Sequence, residues 1–178
     1  MTGTNGIAAF AVLFVIVSTV ASAGDPAIDG LPNTTLTPGA VDLAITAQNI
    51  KSTVCVAGYT KTVRPPAQYT NQLKRKQLAL YHYANVDPKQ YEEDHLIPLS
   101  VGGNPRDAKN LWPEPRFGEW SAARKDELEF VMYKKLCAGK VTLKAAQDAF
   151  REDWVAAYKK YVTAKKGKIR RGGSADAA

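Results

Sequence analysis

Residues 92–103 read Glu-Glu-Asp-His-Leu-Ile-Pro-Leu-Ser-Val-Gly-Gly, and Asn110-Leu111-Trp112 follows shortly after. No other stretch limits the fold as tightly. Asp94 to Ile97 predicts a strand, and Pro98 to Lys109 a turn-rich loop. Asn110 opens a second strand, which Pro113 and Pro115 cut short because proline cannot donate to a ladder. The outcome is a hairpin with an acidic cluster beside one of the chain's two histidines.

Helical spacing takes over on the far side of this hairpin. From Gly118 onward, Trp120, Ala123, Leu128, Val131 and Leu136 predict a stripe that Gly139 ends. Thr142 then caps a last helix reaching about Val162. Its Leu143, Ala146, Phe150, Trp154, Ala157, Tyr158 and Tyr161 are spaced as core. Upstream, Val41 to Ile50 reads as a short helix and Ser52 to Val56 as a strand or extended piece. Gly58 to Pro66 reads as a loop, since Pro65-Pro66 opposes a helix. Thr70 or Asn71 caps a helix to about Tyr83, with Leu73, Gln77, Leu80 and Tyr81 on one side. No internal repeat is visible. The expected fold is α+β: a mostly helical single domain over residues 46–163, carrying the hairpin and the helix after it.

The two ends bear on location. Ile7 to Val17 is an unbroken apolar run, and Ala21-Ser22-Ala23 supplies a small-x-small cleavage pattern. Residues 1–23 therefore read as a signal peptide, although residues 1–6 carry no Lys or Arg. An uncleaved anchor is the competing reading, and the run is short for a spanning helix unless it reaches Ala23. Residues 24–45 read as a linker or irregular arm, and residues 164–178 as a basic disordered tail. Export to an oxidising compartment makes a Cys55–Cys137 disulfide the default for the two cysteines, with two free buried thiols as the alternative. The expected location is secreted or periplasmic, with no stable membrane association once the signal is removed. The net charge of +7 favours polyanionic partners, nucleic acid among them. Nothing in the sequence points to an obligate protein partner.

The order strand, loop, strand, helix resembles the ββα-metal module of HNH nucleases, roughly D-H-I-x-P-L-x-x-G-G, then N-L, then a helix. The matching residues are Asp94, His95, Leu96, Pro98, Leu99, Gly102, Gly103, Asn110 and Leu111. More narrowly, E-E-D-H-L-I-P-L with N-L-W-P-E-P is similar to a set of small exported bacterial HNH-like proteins. The resemblance implies Asp94 as metal ligand, His95 as general base and Asn110 as the residue holding the hairpin and His95 in place. The chemistry suits these types: an imidazole takes a proton from water near pH 7, and a carboxylate holds a divalent ion against phosphate. Adjacent strand residues point to opposite faces, so both serve one site only if the strand bulges or ends there.

The pattern's second ligand, usually His or Asn on the following helix, is missing. No histidine follows His95. By spacing the candidates are Glu119 and, a turn on, Ala123, which cannot ligate. Asp126 on the same helix is the other carboxylate, and the choice between it and Glu119 stays open. A carboxylate pair suits Mg²⁺ or Mn²⁺ better than zinc.

The blander readings are specific too. Strict alternation puts Glu93 rather than Asp94 beside His95, where it would only orient the ring. Glu114 is a remote ligand candidate, and His82 reads as packing or surface. Lys61, Arg64, Lys74 and Arg75 are candidates for phosphate contacts, or simply a solvated basic face. The expected function is metal-dependent endonucleolysis of DNA or RNA with little sequence preference. The alternative is an inactive HNH-like scaffold that binds nucleic acid or an envelope polyanion.

Overall fold

The computed structural model describes residues 30–83 and 85–163. The signal segment, residues 24–29 of the arm and the basic tail lie outside the described residues. Within them the fold is α+β: a two-stranded antiparallel sheet surrounded by helices. The helices are α1 (Tyr59–Val63), α2 (Ala67–Tyr81), α3 (Ala122–Cys137), α4 (Leu143–Arg151) and α5 (Trp154–Tyr158). The strands are β1 (Tyr91–His95) and β2 (Leu111–Pro115). Among the described residues, no helix is long and apolar enough to cross a membrane.

A hairpin forms as expected, but its first strand is displaced upstream, running from Tyr91 and ending at His95 rather than Ile97. Asn110 closes a 3₁₀ turn just before the second strand, which runs through both prolines. Proline is tolerated because β2 is an edge strand with one partner. The register pairs Glu92 with Glu114, Glu93 with Pro113, Asp94 with Trp112 and His95 with Leu111. Between the strands the loop folds back on itself. A Cβ at Gly103 would lie 1.7 Å from the Ile97 carbonyl oxygen, so only glycine fits there. Gly102 turns the chain at φ +81°.

Several upstream expectations fail for one reason: each judged a short segment without its tertiary partners. Residues 41–50 form turns rather than a helix, and Ile50–Ser52 is one 3₁₀ turn. Ser52 to Val56 is not a strand, because no neighbouring strand offers it a ladder; Val54 is buried and Cys55 bonds to Cys137 instead. Tyr59–Val63 is helical and ends just before Pro65, so the prolines stop a helix rather than prevent one. α2 begins at Ala67, with Pro66 as its N-cap. Its inner residues are Gln77, Leu78 and Tyr81, while Leu80 is exposed.

The expected arm is no linker where it is described, and the packed domain begins before residue 46. The Gly39 N–H donates to the Lys109 carbonyl at 2.9 Å, and the Asp42 N–H to the Gly102 carbonyl at 2.9 Å. Thr37 is fully buried; its hydroxyl donates to the Leu111 carbonyl at 3.2 Å and accepts from the Tyr81 hydroxyl at 2.6 Å. The indole N–H of Trp154 donates to the Gly30 carbonyl at 2.7 Å. The segment thus straps the hairpin loop to the helical core.

The expected last helix breaks at Glu152-Asp153, where Asp153 caps α5 by accepting from the Ala156 N–H at 2.8 Å. Leu143, Ala146, Phe150, Trp154, Ala157 and Tyr158 are core as expected. The buried stripe of α3 is Ala122, Lys125, Leu128, Met132 and Leu136, one position out of phase with the predicted Ala123. That shift puts a lysine into the core stripe and decides the character of the site.

Candidate active site

Strand alternation builds the site. Glu92 and Asp94 are two residues apart and so share one face of β1. Glu114 on β2 lies directly across from Glu92, which brings a third carboxylate to that face. Each of the three offers an oxygen within 4.8 Å of the others. Among the described residues this is the one group close enough to hold a metal ion.

Helix α3 closes the cluster from behind. Lys125 is fully buried, and its ammonium forms an ion pair with Asp94 and, at 3.1 Å, with Glu114. Burial alone would lower the lysine's pKa, but the two carboxylates more than offset it and hold the group charged. Burial likewise pushes the Asp94 carboxyl up; Lys125 and then His95 outweigh that and bring it down to about 2. Glu114, also fully buried, is raised well above the usual range by desolvation that Lys125 only partly opposes. Its Oε1 has no hydrogen-bond partner among the described residues.

His95 ends β1 and is 3% exposed. Its Nε2 lies 3.0 Å from the Pro105 carbonyl, which can only accept, so that nitrogen carries the proton. In the neutral ring Nδ1 then holds the lone pair, and it lies 4.0 Å from Asp94 Oδ1. The two neighbours therefore converge at the strand end despite alternation. Desolvation lowers the imidazole pKa, Asp94 opposing, which favours the neutral base.

Asn110 is fully buried and clamps the loop. Its Oδ1 accepts from the Ile97 N–H at 3.0 Å, while Nδ2 donates to the carbonyls of Ile97 at 3.0 Å and Asn104 at 2.9 Å. Asn104 precedes Pro105, so the clamp also sets the carbonyl that orients His95.

In front of the carboxylates lies a polar cleft of about 480 Å³, lined by Arg64, Lys74 and Arg116 on the basic side. Glu92, Glu93, Asp94, Asp126 and Glu129 line it on the acidic side. Arg116 pairs with Glu92 at 2.8 Å. Of the basic residues singled out by sequence, Arg64 and Lys74 line this cleft. Lys61 and Arg75 are exposed and do not. Of the two candidates for the remaining ligand, Asp126 reaches the cleft wall and Glu119 is exposed outside it. Neither belongs to the carboxylate trio, whose third member is Glu114 from the second strand. The Glu92–Glu114 register could have signalled this; Lys125 could have been found only by phasing the helix correctly.

The trio fits a hard divalent ion on two counts. The orphaned Glu114 Oε1 is an unused buried donor atom. The three carboxyls also supply the oxygen atoms such an ion prefers, gathered on one face of the hairpin.

Glu93, between Glu92 and Asp94 on β1, lies outside the carboxylate trio but lines the cleft with Lys74. Neither carboxyl oxygen has a hydrogen-bond partner among the described residues, and burial pushes its pKa up to about 8 despite Lys74 nearby. The folded protein thus binds more protons than the unfolded chain between the usual carboxylate range and about pH 8. This contribution to stability is present at low pH and lost as pH rises through that value. In chelator, thermal unfolding of Glu93→Gln is expected to depend less on pH across this window than the wild type, and to occur at higher temperature at its alkaline end. Identical slopes for the two proteins would show that Glu93 ionises normally.

Comparison with models of known protein families, with functionally described proteins and with solved structures returned no match.

Proposed function

We propose that the chain is an exported, metal-dependent endonuclease that hydrolyses DNA or RNA phosphodiesters with little sequence preference. One observation carries this reading: Asp94 and His95 meet at the end of β1, 4.0 Å apart, beside a helix packed on the hairpin. A divalent ion bound by Glu92, Asp94 and Glu114 would supply positive charge at the phosphate. His95 is a general base held from behind by Pro105, with Nδ1 turned toward Asp94 to take a proton from water there. Arg64, Lys74 and Arg116 offer cations along the cleft for the phosphate backbone. Backbone contacts carry no base information, hence the low sequence preference.

A second, more apolar recess of about 340 Å³ shares Asp126 and Glu129 with the cleft and is lined by Tyr59, Phe130 and Tyr133. Aromatic rings beside a phosphate track suit unstacked bases. Single strands are therefore the favoured substrate. The Cys55–Cys137 disulfide supports export.

The test is cleavage of plasmid and of single- and double-stranded oligonucleotides in Mg²⁺ or Mn²⁺. Chelation and Asp94→Asn are each expected to leave only background cleavage, and single strands to be cut faster. Activity unchanged by both would reject the reading. A second reading, polyanion binding without hydrolysis, is favoured by the ammonium already covering Asp94 and by the burial of His95. It expects salt-sensitive retention of nucleic acid and no cleavage with any divalent ion.

A further inference from the structure

Among the described residues Lys125 is the one buried cation, and neither the sequence pattern nor the proposed chemistry assigns it a role. Its position is specific: the side chain leaves the apolar stripe of α3 and ends on Asp94 and Glu114, two of the three carboxylates that could hold an ion. Its relative exposure is 0%, so the ammonium meets no solvent and no passing phosphate. Burying it there is tolerable because both anions are within ion-pair distance. Glu114 still keeps one oxygen unpartnered.

We propose that Lys125 is the built-in counter-ion of this centre and competes with divalent cations for the same oxygens. With its ammonium in place, the carboxylates are held together without metal. A divalent ion gains Asp94 and Glu114 in full only as Lys125 gives them up. The wild-type centre therefore binds Mn²⁺ weakly, and the lysine sets that affinity. This rests on the ion-holding part of the proposed function and not on cleavage.

Mn²⁺ is the probe, followed by electron paramagnetic resonance and calorimetry on the purified full chain. Lys125→Met is expected to bind Mn²⁺ at least about tenfold tighter than the wild type, since the ligand set recovers a full formal charge. Its thermal midpoint is also expected to rise more on adding Mn²⁺. Because losing the ammonium strands the Asp94 and Glu114 carboxylates, a second comparison keeps the local charge balanced. The double variant Lys125→Met with Glu114→Gln is expected to bind Mn²⁺ tighter than Glu114→Gln alone. Adding Asp94→Asn to Lys125→Met is expected to abolish the gain. Equal affinities with and without Lys125, or no Mn²⁺ binding in any variant, would overturn the proposal. Tighter Mn²⁺ binding without nucleic-acid cleavage would sustain it while rejecting the nuclease reading.

Discussion

His95→Ala is expected to lower cleavage by roughly two to four orders of magnitude, the usual contribution of a positioned general base. The reason lies in how the ring is held. Nε2 is committed to the Pro105 carbonyl at 3.0 Å, which leaves Nδ1 as the basic atom beside Asp94. Desolvation keeps the ring neutral to a lower pH than a free histidine. The acidic limb of the wild-type pH–rate profile should accordingly fall below the ordinary histidine range. The substitution also removes the partner of the part-buried Pro105 carbonyl, so rates must be compared well below the unfolding transition. A folded variant that cuts at the wild-type rate would remove His95 from the chemistry. A wild-type acidic limb at or above the usual histidine value would remove it as the titrating base.

Replacing both Cys55 and Cys137 by serine is expected to be the most damaging change to stability. The bond joins residues 82 apart, linking the turn before α1 to the last residue of α3. In the chain-entropy model a loop of that size is worth roughly 4 kcal/mol, because the cross-link restricts the unfolded chain. For a domain of this size that corresponds to a thermal midpoint lower by roughly 10–20 °C. Val54 and Val56, either side of Cys55, line the recess that reaches Glu129. The variant should therefore lose single-strand binding before it loses the hairpin. Calorimetry of oxidised, reduced and doubly substituted protein checks this. Coincident midpoints would show that the bond contributes nothing.

Much of the centre was legible because its signals are local. Alternating acids, a proline-glycine loop and a returning asparagine put Asp94, His95 and Asn110 on a hairpin, and the hairpin is there. Asn110 does hold the loop, through three hydrogen bonds that a turn-forming asparagine alone would not require. The core aromatics of α4 and α5 were equally plain, since their spacing repeats over several turns. Glu119 follows from spacing along the chain from Asn110, whereas the third carboxylate of the trio arrives across the sheet as Glu114. Pro65-Pro66 terminates α1 rather than opposing a helix there, a distinction that the two prolines by themselves do not carry.

Covalent order and side-chain type by themselves determined the hairpin and left each cysteine only the other as a disulfide partner, because the first depends on near neighbours and the second on there being only two cysteines. What lies across from Glu92, and which face of α3 turns inward, depends on packing between distant segments. In the folded helix Ala123 faces outward and Lys125 inward, and only the folded protein settles that phase. The charge at the heart of this centre was therefore decided by tertiary structure, since burying an ammonium is tolerable only where two anions already wait for it.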